Sequence, residues 1–225
     1  MSATRTSSTR TSGERAIAVC FCGGSGIAYG LRLCEVLLQS GRSVHLAATA
    51  AALRVLRHEA GLPVDLDRPD LAALFAPGLR TRLQVHAISA VEAAPASGSA
   101  GIAATVLVPC SMGTLARVAH GFSSNLIERA ADVALKEGRP LIVVPRETPL
   151  STIHLRNMLL LAEAGAIVLP AMPGFYHRPE RVEDLVDFVV GKILHRLGID
   201  CELFRRWQTP EAPPSTPWHE GEEEP

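Results

Sequence analysis

Five short apolar runs, each closed by a turn and followed by sequence with helical spacing, set what this chain can fold into. Residues 16–21, 44–49, 105–108, 141–144 and 166–169 are largely apolar along their whole length. A strand apolar on both faces is covered on both faces, as in a parallel sheet packed between helices. Helical spacing follows in 28–39, in 51–59, from 115 through 136, in 151–164 and in 182–197, with Gly41 and Gly198 as stops. The alternation predicts a single-domain, three-layer α/β fold with a parallel sheet of flavodoxin or Rossmann type. Such sheets bind ligands outside the carboxyl ends of their strands. The residues just after each strand therefore carry the functional argument.

The folded unit is predicted to span 15–207. Residues 1–14 are rich in Ser, Thr and Arg, and 208–225 are rich in Pro and Glu, so both read as solvated tails. With 47% apolar residues among 225, a sizeable core is available. A formal net charge of -1 gives no compositional support for nucleic-acid binding, and 4% aromatics argue against stacking platforms. The apolar runs are far shorter than the ~20 residues of a membrane span, and no secretory signal pattern opens the chain. The expectation is a cytoplasmic protein without a membrane or nucleic-acid partner. The five cysteines (Cys20, Cys22, Cys34, Cys110, Cys201) lie mostly in apolar runs and read as buried, reduced thiols. No zinc-ligand spacing surrounds Cys20 and Cys22, and the eight histidines are scattered. No metal site is expected. Asp65, Asp67 and Asp70 read as a solvated loop, and His58-Glu59 lacks the second histidine of a zincin.

The first strand ends in Gly23-Gly24-Ser25-Gly26. Small residues there let backbone N–H groups approach an anion at a helix N-terminus. Three familiar glycine motifs fail. Tyr29 stands where a dinucleotide motif needs glycine, Ile27 where a hydrolase elbow needs it, and no G-K-[ST] follows. What remains is a phosphate cradle with the Ser25 hydroxyl free. The third strand ends in Pro109-Cys110-Ser111-Met112-Gly113-Thr114, where Ser111 is a good N-cap. Cys110 has no identifiable base beside it. The fourth ends in Pro145-Arg146-Glu147-Thr148-Pro149, an Arg-Glu pair between prolines. Charges at a desolvated sheet edge need each other or a ligand. The fifth opens into a loop, 170–179, with prolines, Gly174, Phe175, Tyr176 and His177. That composition suits a rigid pocket wall.

These blocks together resemble the flavin prenyltransferases, the UbiX family. The resemblance is carried by Gly23-Gly24-Ser25-Gly26 with Tyr29-Gly30, Pro109 to Leu115, Asn125 to Asp132 with Lys136-Glu137, and Val144 to Leu150 with His154-Leu155. Pro173-Gly174-Phe175-Tyr176-His177 and Asp184 to Val189 complete it. The family attaches a dimethylallyl group from dimethylallyl phosphate across N5 and C6 of reduced FMN. The product, prenylated FMN, serves UbiD-type decarboxylases. The resemblance implies a homo-oligomer, a dodecamer, with active sites at subunit contacts and no metal requirement.

Carried over by position, FMN would meet Gly23, Gly24, Ser25, Thr49, Cys110, Ser111, Met112, Gly113 and Arg146. Dimethylallyl phosphate would meet Ser25, Ser97, Arg129, Lys136, Arg146, Glu147, Tyr176 and Lys192, with Trp207 closing over the isoprenoid. Glu59 aligns with the family's acid/base glutamate, and Ser25, Lys136 and Glu147 complete the catalytic set. Some positions depart from the family's usual pattern. Gly24 replaces an alanine, Thr49 a serine, and Ala50 a lysine. Lys192 stands where arginine is also found, so it cannot grip bidentately.

The chemistry explains the residue types. As the allyl C–O bond lengthens, negative charge grows on phosphate and positive charge on the allyl group. Arg129, Lys136, Arg146 and Lys192 would stabilise the first, and the π-faces of Trp207 and the flavin the second. Tyr176 would donate to the departing oxygen, and Glu59 would take the proton lost from C6. Two other readings stay open on the sequence. One is an FMN-dependent flavoprotein like the cysteine decarboxylases, and the other a flavin carrier without catalysis.

Overall fold

The computed structural model describes residues 15–61 and 64–205. The segments read as tails and Trp207 lie outside the described residues. Six parallel strands form one sheet: β1 (Ala16–Phe21), β2 (Val44–Ala48), β3 (Leu83–His86), β4 (Ile102–Cys110), β5 (Leu141–Pro145) and β6 (Ile167–Val168). Their order is β3-β2-β1-β4-β5-β6. The helices are α1 (Ile27–Gln39), α2 (Ala50–Glu59), α3 (Met112–Ala119), α4 (Leu126–Lys136), α5 (Thr152–Glu163) and α6 (Val182–Arg196). This is the doubly wound parallel sheet that the alternation predicts.

Period-two packing divides the core between two faces. Ile17, Val19 and Phe21 of β1 pack with Leu33 and Leu37 of α1 and with Val190 and Ile193 of α6. Cys20 and Cys22 turn to the opposite face, with Leu115 of α3 and Ile127 and Ala131 of α4. Leu107 of β4 and Val143 of β5 share that second face, whereas Val106, Val108, Ile142 and Val144 share the first. Cys20, Cys22, Cys34 and Cys110 are buried as free thiols, so their apolar setting is one of packing. Burial, then the neighbouring Cys110, pushes the Cys20 thiol up to about 12, leaving it un-ionised at neutral pH.

Besides β4, which runs Ile102–Cys110 rather than 105–108, the fold differs from the sequence expectation in three places. β3 was not anticipated: it is four residues long, half exposed and at the sheet edge, so it carries no apolar run. It is tied to β2 by backbone pairing and by the His45 and His86 rings, whose Nδ1 and Nε2 lie 2.8 Å apart. The helical stretch predicted through 136 is two helices, because Gly121 turns at φ 72° and Asn125 then caps α4 by accepting from Glu128 N–H. The last strand is two residues rather than four. Among the described residues, no helix is long and apolar enough to cross a membrane.

The close approach of α1 to the sheet rests on Gly30. A Cβ there would lie 2.5 Å from Phe21 Cε1 and 2.7 Å from the Val108 carbonyl oxygen. The second neighbour is backbone and cannot move aside. Gly30→Ala is expected to destabilise by about 1–3 kcal/mol, the usual cost of overpacking. Thermal melting should show a midpoint lower by roughly 2–4 °C per kcal/mol for a domain of this size.

Candidate active site at the carboxyl edge of the sheet

The strand order reverses between β1 and β4, and the two turns that leave these strands touch. Gly24 is buried, and a Cβ on it would stand 3.3 Å from the Cys110 carbonyl. Gly23 adopts φ 75°, and a Cβ there would lie 2.6 Å from Ala51 Cβ at the start of α2. Gly23 needs glycine for both its space and its positive φ, whereas at Gly24 a methyl would fit only tightly, so backbone lines most of the cradle expected from the sequence. Thr49 caps α2 by accepting from Ala52 N–H at 3.0 Å. Ser111 caps α3 by accepting from Thr114 N–H at 3.3 Å, as expected. The Cys110 thiol is fully buried and donates to the Ser111 carbonyl, so nothing supports a nucleophilic role. Met112 is buried, while Gly113 is exposed with open space where a side chain would be.

Glu59, from the last turn of α2, reaches across to the start of α1. Its Oε2 accepts from Gly26 N–H at 2.9 Å and Ile27 N–H at 3.0 Å. Gly26 has no side chain to cap α1, so a carboxylate from 33 positions away does it. Burial alone would raise the Glu59 pKa. The Ser25 hydroxyl, the two N–H groups and the nearby Arg146 outweigh that and hold it below the ordinary value. The sequence placed Glu59 at the site only by resemblance. Its capping contact has no local sequence signal.

Arg146 does not pair with Glu147. Its Nε donates to the Ser25 carbonyl at 3.2 Å, and Glu147 accepts from Thr148 N–H at 3.1 Å. Of the two outcomes the sequence left open, mutual pairing is not the one adopted, and the two charges between the prolines are separate groups. Both line a cleft of about 230 Å³ with Leu150, Met158, Ala171 and Met172. The 170–179 loop forms one wall, pinned by Ala171 N–H to the Pro145 carbonyl at 2.9 Å. The same loop carries Tyr176 into a second pocket of about 210 Å³, with Lys192, His195, Cys201 and Phe204. The pocket-wall reading of this loop holds. Phe204 and Cys201 were not anticipated, since they follow the last helix without a motif.

Ser97 and Lys136 are not at this edge within one chain. Lys136 ends α4, five positions before β5 begins, and Ser97 lies in the loop that enters β4. The two are neighbours: Lys136 Nζ donates to Glu137 Oε1 at 2.9 Å, and the Glu137 carboxylate presses on Gly98. Arg139 donates to the Ser97 and Gly98 carbonyls. Both residues therefore occupy the amino edge of the sheet, opposite Arg146 and Ser25. Arg129 is exposed near the start of α4.

A doubly wound sheet with a glycine cradle, a helix N-terminus already holding a carboxylate, and an arginine on the cradle's carbonyl defines a binding protein for an anionic nucleotide or flavin. The Flavoprotein family model matches residues 5–194. The flavin prenyltransferase UbiX of Pseudomonas aeruginosa is 48% identical over 199 residues, spanning 87% of this chain and 95% of its own. That of Halalkalibacterium halodurans is 49% identical over 185 residues, 82% and 89% of the two chains. Among solved structures, AnUbiX (PadA1) in complex with FMN and dimethylallyl pyrophosphate superposes with a TM-score of 0.77 at 38% identity. It covers 88% of this chain and all of its own. The dodecameric FMN-dependent UbiX-like decarboxylase of Escherichia coli O157:H7 gives 0.76 at 38% identity, covering 86% and 100%. The chain belongs to the UbiX family of flavin prenyltransferases.

Proposed function

We infer that this chain joins the dimethylallyl group of dimethylallyl phosphate to N5 and C6 of reduced FMN, releasing prenylated FMN. The reading is carried by one juxtaposition: Arg146 on the Ser25 carbonyl, with the Glu59 carboxylate on the Gly26 and Ile27 N–H groups beside it. A cation, a hydroxyl and a base share one sheet edge with a cradle that backbone alone fills. The residues fit a flavin mononucleotide. Gly24 lets two turns meet without side chains and Gly113 leaves open space, while Glu59 already occupies the Gly26 and Ile27 N–H groups at the start of α1.

Gly23, Gly24, Ser25, Thr49, Cys110, Ser111, Met112, Gly113 and Arg146 hold the flavin, which supplies the nucleophilic N5 and C6 when bound. Arg146 and Lys192, which line separate pockets of one chain, are the cations for the leaving phosphate, and Tyr176 donates to its departing oxygen. Glu147 lines the same cleft and orients the donor. Ring closure adds a proton to the middle carbon of the allyl double bond and releases one from C6; Glu59 takes the latter, turned toward it by the Ser25 hydroxyl. Trp207 covers the isoprenoid. Ser97, Arg129 and Lys136 act on the site of a second copy, since Ser97 and Lys136 stand on the opposite edge. Helix α5 supports assembly, because it exposes Ile153 and Leu160 on one side and Leu155 and Leu159 on another, and apolar surface gathered in this way marks a site of interaction. The assembly is a dodecamer like the Escherichia coli relative, the catalytic unit spans 15–207, and a cytoplasmic UbiD-type decarboxylase takes the product.

Anaerobic incubation with reduced FMN and dimethylallyl phosphate is the direct test. The expected result is a flavin heavier by one five-carbon unit, with an altered absorption spectrum. A flavin of unchanged mass would overturn the reading. Because side chains supply the cations, a chelator is expected to leave the rate unchanged.

A further inference from the structure

We propose that Phe204, seated against Gly191, positions Lys192 for the leaving phosphate. The inference rests on Lys192 and Tyr176 holding that phosphate. The Lys192 ammonium lies 5.3 Å from the ring centre of Phe188 and 5.5 Å from that of Phe204. Among the described residues, it forms no ion pair with a carboxylate. A lysine head on a flexible stem loses conformational freedom when it grips an anion. Two ring faces bias the ammonium toward one place without neutralising it. A carboxylate would fix it as well, but would compete with the phosphate.

Phe204 is itself held. It arrives from the segment after α6, past the turn at Gly198, and packs 4.8 Å from the Phe188 ring. Gly191 sits in the buried face of α6, where glycine weakens a helix. A Cβ at 191 would lie 2.5 Å from Phe204 Cε1 and 2.7 Å from Cδ1. The missing side chain is the space the ring fills. Tyr176 meets Phe188 edge-on at 5.5 Å and lines the same pocket as Lys192 and Phe204. One aromatic cluster thus sets both phosphate-binding groups.

The test is steady-state kinetics on the intact enzyme with dimethylallyl phosphate. Phe204→Leu is expected to raise KM about fivefold, as loss of one ring face would, with kcat near the parent value. Phe204→Tyr should restore KM. Gly191→Ala should raise KM alone but add nothing to Phe204→Leu, because the smaller side chain leaves room for the Cβ. Should Phe204→Leu fail to fold, the KM of Gly191→Ala decides by itself, and an unchanged value overturns the proposal. Lys192→Met separates the two claims. If it raises KM while Phe204→Leu does not, the positioning role is wrong and the phosphate contact stands. If Lys192→Met leaves KM unchanged, both fall. An equal effect of Phe204→Leu with and without Lys192 also overturns the proposal, since the ring would then act by another route.

Discussion

Two chains that are each inactive, one carrying Lys136→Met and the other Arg146→Met, are expected to regain activity when assembled into mixed oligomers. The reason is distance. Ser97 and Gly98 precede β4, and Cys110 ends it, eight positions after Ile102 begins it. At ~3.3 Å per residue the two edges of the sheet stand about 26 Å apart. Lys136 shares the entering edge through Glu137, whose carboxylate crowds Gly98. No lysine side chain spans that gap to Arg146 on the leaving edge. If both cations act on one phosphate, they come from different copies. Each single variant should lose roughly 10²–10³ in rate, the usual loss when one fixed charge opposite a developing anion is removed. In a mixed assembly some sites combine an intact Arg146 with a neighbour's intact Lys136, and those sites turn over. Co-expressed chains with different affinity tags, purified through both, give the material. Mixed oligomers as inactive as either parent would show that Lys136 serves no neighbouring site.

What the sequence makes legible follows how locally each feature is encoded. β1 is written in six consecutive apolar residues and was placed to the residue. Ser111 was placed as a cap because a cap acts on an N–H only three positions away. β3 left no trace, since an exposed edge strand alternates polar with apolar over too few residues. The break between α3 and α4 was marked by Gly121 and Asn125, a stop and a start within a run that otherwise kept helical spacing. The Glu59 cap, the Arg146 bond to Ser25 and the Phe204 ring over Lys192 are contacts between distant positions. Periodicity cannot carry them. The strand end brought Arg146 to notice and the resemblance brought Glu59 and Lys192, but neither gave the bonds that aim them.

Glu59→Gln is expected to keep FMN bound and to slow completion of the new ring by roughly 10²–10⁴, the range of a lost general base. The amide oxygen can still accept from the Gly26 and Ile27 N–H groups, so the start of α1 and the cradle should persist. What it cannot do is take a proton. The pH profile gives a second readout. The carboxylate is held below its ordinary pKa: burial pushes it up, but the Ser25 hydroxyl, the two N–H groups and Arg146 together pull it further down. It therefore stays ionised to lower pH than a free glutamate. The acid limb of kcat/KM, which reports the free enzyme, should fall below the normal glutamate range and vanish in Glu59→Gln. The linked stability has the same sign. A depressed folded pKa contributes stability above the unfolded value, and that stability is lost as pH falls through the folded one. Because Glu59 is largely exposed, solvent screening keeps this small. Melting points of parent and variant should nearly coincide at neutral pH and converge fully in acid. A variant that closed the ring at the parent rate would remove Glu59 from the proton path and leave it only the cap of α1.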